Sequence, residues 1–220
     1  MVGKEISWIL DRLSEAYKND GAFPGRSSKG VNPKWPSDPF HVLISTMLSQ
    51  RTRDDNTRKA SDQLFSVYPE MEDIAYADLD HVAELIHPAG FPNQKAKAVV
   101  EASRMILEDY GGEVPTETEE LMKLPLVGRK TAACVRAYAM KIPSICVDTH
   151  VHRLSNLIGL VNTKTPEQTE DELMIITPKD RWCDINRYMV RHGQIICKPT
   201  SHDCPNCVIA TVCDACIIDE

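Results

Sequence analysis

A lysine and an aspartate frame the stretch LPLVGRKTAACVRAYAMKIPSICVD, Leu124 to Asp148, and these are the residue types that amine-nucleophile chemistry requires. A nucleophilic lysine must be neutral, and a nearby carboxylate can take its proton. Lys130 falls in the first turn of an apolar helical segment opened by Pro125 and Gly128. The first-turn N–H groups of Gly128, Arg129 and Lys130 lack intrahelical acceptors and can face an anion such as a phosphate. Pro143 forces the chain out of that helix, and Val147-Asp148-Thr149 leads into the next, so Asp148 can return toward Lys130. Each residue also has a plain structural use, Lys130 as a solvated lysine and Asp148 as an N-cap.

A second constellation is Cys197-x6-Cys204-x2-Cys207-x5-Cys213. Pro199, Asp203, Pro205 and Asn206 deny this segment a regular apolar face, so the thiols cannot pack as an ordinary core and a metal must organise them. Zinc competes for the site, and Cys216 offers a second C-x2-C with Cys213. The five residues between the two pairs are far shorter than a zinc-ribbon spacing and favour a four-iron cluster held by Cys197, Cys204, Cys207 and Cys213. Cys134, Cys146 and Cys183 sit on apolar stretches and read as small buried hydrophobes.

The elements that must position these groups read as helices. A chain of 220 residues makes one large or two small domains, and five of its eight cysteines crowd near the end, which in a reducing compartment argues for metal rather than disulfides. The opening MVGKEISWILDRLSEAY reads as an amphipathic helix rather than a signal peptide, and no apolar run approaches the ~20 residues of a bilayer span. A cytoplasmic, nucleoid-associated protein without membrane contact is therefore expected. Helical periodicity covers about 5–18, and a basic Gly/Pro/Ser-rich loop follows from Gly21 to Pro36. Asp38-Pro39 caps a helix running to about Gln50. Further helices are expected at about 54–67, 79–87, 94–110, 117–123 and 129–140, with Thr116 and Glu119 forming a capping box. Others follow at about 150–158, at 166–176 with Thr165 as cap and Pro166 in the first turn, and at 181–194. No segment alternates as a strand for long, so the chain reads as all-α.

The net charge of −7 argues against nucleic acid only weakly, because binding depends on where the cations lie. Arg51, Arg53, Arg58 and Lys59 follow one helix, Arg129 and Lys130 open another, and Arg187, Arg191 and Lys198 approach the cysteine loop. The acidic residues Glu117, Glu119, Glu120, Glu167, Glu170, Asp171 and Glu172 lie elsewhere. Charge segregated onto faces is the expectation.

LPLVGRKTA, VDTHVHRLSN and the C-x6-C-x2-C-x5-C tail together resemble the endonuclease III family of helix-hairpin-helix DNA glycosylases. The likeness runs over nearly the whole chain, including LISTMLSQRTRD at 43–54. The resemblance implies two helical domains flanking a DNA-binding cleft: a six-helix domain over about 32–142, and a cluster domain from 1–31 with 143–220. It implies a monomer acting on double-stranded DNA that carries damaged bases or abasic sites, with a [4Fe-4S] cluster. The lysine at the position of Lys130 would attack C1′ and form a Schiff base that permits β-elimination, with the aspartate at Asp148 assisting. The hairpin residues Leu126, Val127, Gly128 and Arg129 would grip DNA.

Two positions depart from the family pattern. Leu126 stands where the hairpin usually has a glycine, and a left-handed backbone there would cost a leucine about 1–2 kcal/mol. Arg51 stands where a glutamine usually fills the hole left by the flipped base, so Gln50 and Arg51 are both candidates for that role. Removal of oxidised pyrimidines is the leading expectation. A thymine or uracil mismatch glycosylase on the same scaffold and a non-catalytic DNA-binding module are the alternatives.

Overall fold

The computed structural model describes residues 5–18 and 38–218. The basic loop expected from Gly21 to Pro36 and the domain boundary expected near residue 32 lie outside the described residues. In chain order the helices are α1 (Ile6–Tyr17), α2 (Pro39–Ser49), α3 (Asp54–Val67), α4 (Met71–Ala75), α5 (Leu79–Leu85), α6 (Pro92–Asp109), α7 (Thr118–Leu121), α8 (Arg129–Tyr138), α9 (Thr149–Ile158), α10 (Pro166–Ile176), α11 (Trp182–Ile195) and α12 (Asp214–Ile218). Two-residue strands, β1 (Cys197–Lys198) and β2 (Ser201–His202), pair antiparallel between α11 and α12. No described helix is long and apolar enough to cross a membrane.

The chain divides into two compact units, one ending at Ile142 and the other combining the N-terminal segment with the residues from Pro143 onward. The unit ending at Ile142 holds α2 to α8 around a core in which Leu43, Ile44, Met47, Leu48, Leu64 and Val99 are fully buried. In α2 these side chains recur at helical spacing, which gives the helix one broad apolar face. Asp38 caps it, its Oδ1 accepting from His41 N at 3.0 Å, and Pro39 occupies the first helical position. α8 packs against α2 through Ala132 and Val135, and this contact holds the Leu124–Gly128 hairpin beside the end of α2.

In the second unit, α1 buries Ile6, Ile9, Leu10 and Leu13, an i, i+3, i+4, i+7 stripe, against α11. α9 packs on α11 through Val151, Leu154 and Ile158, with Ile185 and Met189 opposite. α9 ends at Gly159, whose φ of +80° is the left-handed stop that favours glycine. Thr165 caps α10, its hydroxyl accepting from Gln168 N at 3.3 Å.

Several local expectations are corrected. α5 stops at Leu85 and gives way to a 3-10 turn at His87–Ala89, because Pro88 cannot continue an α-helix. The Thr116/Glu119 capping box does not form. α7 starts at Thr118 with Glu117 as its uncapped N-cap, and Arg136 Nη1 donates to Thr116 O at 2.7 Å, holding that residue outside the helix. α4 has too few residues to show periodicity, and the Asp73 carboxylate secures it by accepting from Glu70 N at 3.2 Å. α12 and the β1–β2 hairpin were likewise unforeseen.

Candidate active site

Lys130 stands exposed in the first turn of α8. A turn closed by Val127 N donating to Leu124 O at 3.1 Å delivers the chain to that helix. Leu126 lies in this turn at φ +57°, so the left-handed conformation is real and costs about 1–2 kcal/mol for a residue with a Cβ. Packing of its side chain against the core of its unit offsets part of that cost. Gly128 is the exposed N-cap of α8, with extended backbone and, among the described residues, no atom outside its chain neighbours within 4 Å of where a Cβ would stand. Neither its φ nor its neighbours require a glycine. The N–H groups beyond it open outward, where α8 presents the positive end of its dipole.

The segment after α2 meets this turn. Gln50 Nε2 donates to Leu126 O at 2.6 Å and lies 3.4 Å from Thr131 Oγ1, so the glutamine side chain is committed to the hairpin. Arg51 follows at φ +53° with its side chain exposed. Of the two residues that could occupy a vacated base stack, Arg51 is thus the one presented to solvent.

Asp148 belongs to the other unit, where it is the N-cap of α9. Its Oδ1 accepts from His150 N and Val151 N, both at 2.9 Å, which fixes the carboxylate rigidly against the helix start. The preceding Ile145, Cys146 and Val147 are buried, and Asn186 Nδ2 donates to Cys146 O at 2.8 Å from within the core. His150 packs directly on Gly193 of α11, and its Nδ1 is buried without a hydrogen-bond partner.

Cys197, Cys204, Cys207, Cys213 and Cys216 line one pocket of about 320 Å³, part of it open to solvent, whose other walls include Leu154, Leu157 and Ile209. Cys204 is disulfide-bonded to Cys216, whereas Cys197, Cys207 and Cys213 are free thiols. Arg153 reaches the pocket, with Nη2 donating to Cys197 O at 2.5 Å and Nη1 at 3.5 Å from Cys197 Sγ. His192 Nε2 lies 3.5 Å from Cys207 Sγ. Burial, helped by the charge of Arg153, lowers the His192 pKa to about 4 and keeps its ring neutral near pH 7. The chemistry of the donor set suits a thiolate-held cluster, since the cysteines line one cavity with largely apolar walls and a cation stands beside one of them, although among the described residues no three are arranged as a ready metal-binding group. Ligation by all four cysteines requires Cys204 as a thiolate.

A profile of the HhH-GPD superfamily of base excision DNA repair proteins matches residues 44–179, spanning the hairpin, Lys130 and Asp148. The chain belongs to that superfamily. It is 51% identical to endonuclease III of Thermotoga maritima over 81% of this chain and 84% of that protein. Against endonuclease III of Bacillus subtilis it is 34% identical over 96% of this chain and 92% of that one. A solved structure of a trapped endonuclease III–DNA covalent intermediate superposes with a TM-score of 0.86 at 30% identity, covering 100% of this chain and 99% of that one. A thermostable thymine-DNA glycosylase structure gives 0.83 at 25% identity, with 98% of each chain covered. Within the superfamily the chain is thus an endonuclease III-type bifunctional DNA glycosylase of base excision repair.

Three positions beside the candidate residues of the two units escaped the sequence reading. Lys95 is buried beneath the Gln50–Thr52 segment, Asn186 holds the approach to Asp148, and Gly193 makes room for His150. Only Lys95 carried a signal, as a charge on the Ala96/Val99/Ala102 face of an otherwise amphipathic helix.

Proposed function

We propose that this enzyme removes oxidised pyrimidines from duplex DNA through a Schiff base on Lys130 and then cleaves the strand on the 3′ side. The observation that carries this reading is the hairpin: a strained left-handed turn and an unencumbered glycine place an exposed lysine on the first, anion-seeking turn of α8. A glycine at this N-cap leaves a phosphate room to approach the α8 N–H groups.

In the proposed reaction the neutral Lys130 amine attacks C1′, the C1′–N bond breaks and the damaged base leaves with the bonding pair. The sugar ring then opens to give an imine. Loss of a C2′ proton and of the 3′ phosphate completes β-elimination, and hydrolysis of the imine returns the amine. An amine can perform both steps, whereas activated water can only release the base. Asp148 takes the lysine's proton and offsets the positive charge that develops on the sugar. Its position as a rigid N-cap suits that work, because one oxygen is fixed by two backbone N–H groups. Arg51 fills the space left by the extruded base while Gln50 braces the hairpin from behind.

A [4Fe-4S] cluster would be held by Cys197, Cys204, Cys207 and Cys213, with Cys216 outside the ligand set. When bound, it supplies a covalent tie across the C-terminal loop. Arg153 binds the backbone carbonyl of Cys197 and stands beside its sulfur, where the guanidinium would offset the charge of a thiolate ligand.

Likeness to a thymine-DNA glycosylase structure supports a second reading, excision of mispaired thymine or uracil. Single-turnover assays on duplexes containing thymine glycol, a G·T mispair or a G·U mispair separate the two. Preferred cleavage at thymine glycol supports the first reading, and preferred cleavage at the mispairs overturns it.

A further inference from the structure

Lys95 is the one described lysine in the core, 3% exposed. Its Nζ donates to Leu48 O at 2.8 Å, Gln50 O at 2.8 Å, Thr52 Oγ1 at 2.9 Å and Ala89 O at 2.9 Å. Three N–H groups thus serve four oxygens at one point, and one bond is shared. Burial lowers the pKa of this lysine from its ordinary value. Leu48 O lies at the end of α2, Gln50 is its C-cap, and Ala89 O ends the 3-10 turn. The ammonium therefore gathers the negative ends of two helical segments, whose last carbonyls lack intrahelical partners. Thr52 Oγ1 lies within donating reach of Ala89 O, and of Gln50 O at 3.0 Å, tightening the same knot.

Arg51 sits inside this knot. Its neighbours Gln50 and Thr52 are both held by Lys95, and Gln50 is also tied to the hairpin through Leu126 O. The left-handed backbone at Arg51 is unfavourable for a residue with a Cβ and persists only where the surroundings impose it. Thr52 N donates to Ser49 O at 3.1 Å and closes the turn that carries it, and the flanking bonds to Lys95 hold that turn in place.

We propose that Lys95 is the positioning residue for Arg51, locking the Gln50–Arg51–Thr52 turn so that the arginine stands ready to enter the stack vacated by a flipped base. The proposal rests on the assignment of Arg51 as that wedge. Lys95 touches neither DNA nor the reacting atoms. Its effect falls on the step in which a paired base must be held out of the duplex, and far less on an abasic site, where no base has to be displaced.

The test compares Lys95→Met, Thr52→Val and Arg51→Ala, in the full-length cluster-loaded protein, on duplexes carrying either thymine glycol or a preformed abasic site. The single-turnover rate on thymine glycol should fall about ten- to a hundredfold in each variant, the penalty for misplacing a contact by about an ångström, while abasic-site cleavage falls by a much smaller factor. Fluorescence of 2-aminopurine placed beside the lesion should show slower extrusion, and Arg51→Ala should cost little more when added to Lys95→Met. Equal losses on both duplexes, or fully additive losses in the double variant, would overturn the proposal. If Arg51→Ala discriminates between the duplexes and Lys95→Met does not, the positioning role fails and the wedge stands. If Arg51→Ala does not discriminate, the wedge assignment fails and takes the proposal with it. Should Lys95→Met not fold, Thr52→Val, which keeps the ammonium and removes one of its partners, gives the same readings.

Discussion

Gly193→Ala should damage catalysis from a helix that carries no proposed catalytic group. By propensity alone, alanine inside α11 would gain up to about 1 kcal/mol. A Cβ at that position, however, would stand 2.7 Å from His150 Nδ1 and 3.2 Å from His150 Cβ and Cγ. Comfortable contact between such atoms is about 3.5–4 Å, so His150 must retreat by several tenths of an ångström to about 1 Å. Its Cβ can move only with the first turn of α9, and that turn supplies the two N–H groups that hold Asp148 Oδ1. Overpacking of this kind costs about 1–3 kcal/mol, which leaves a net loss of about 0–2 kcal/mol after the helix gain. The melting temperature should fall by a few degrees, at about 2–4 °C per kcal/mol for a chain of this size. Displacement of Asp148 should lower kcat by about ten- to a hundredfold, with the Kd for an abasic duplex little changed because the α8 N-terminus is untouched. Differential scanning calorimetry and single-turnover cleavage measure the two effects. Adding His150→Ala removes the ring and should recover most of the rate. A Gly193→Ala protein that is more stable than its parent and cleaves at the parental rate would refute the reasoning.

Asp148→Asn keeps the N-cap but removes the carboxylate, so turnover of a damaged base should drop by about two to four orders of magnitude, read in single-turnover assays. Trapping on a preformed abasic site should survive in part. Cys197→Ala, Cys204→Ala, Cys207→Ala and Cys213→Ala should each lower the iron content from about four atoms per chain, whereas Cys216→Ala should not; stoichiometric zinc without sulfide would overturn the assignment. DNA affinity should fall linearly on a log–log salt plot, despite a net charge of −7, with a slope of about 0.9 per phosphate neutralised. A flat salt series would contradict a local phosphate-binding face.

Helix positions were legible wherever periodicity and caps agreed. Asp38-Pro39 and Thr165-Pro166 announced α2 and α10, and the structure carries both caps. Thr116 and Glu119 misled because the decisive partner of Thr116, Arg136, lies on α8 and no local pattern reports it. Leu126 was legible as a position of strain from its departure from glycine, and its φ of +57° agrees. Whether Gln50 or Arg51 faces outward was not legible, since it depends on the Leu126 carbonyl that captures the glutamine amide. Asn186 and Gly193 act through contacts with residues remote in sequence, at Cys146 and His150, and an ordinary amphipathic helix conceals them. The C-terminal cysteines announced a shared site by spacing, but the bond between Cys204 and Cys216 depends on which thiols the folded loop brings together.

The most direct test of the central claim is borohydride trapping on duplex DNA containing thymine glycol or an abasic site, followed by mass spectrometry of the cross-linked peptide. The parent protein should give a covalent adduct on Lys130, and Lys130→Gln should lose both the adduct and strand cleavage while still binding the duplex, because the α8 N–H groups remain. Undiminished trapping by Lys130→Gln, or an adduct mapped to another amine, would contradict the account.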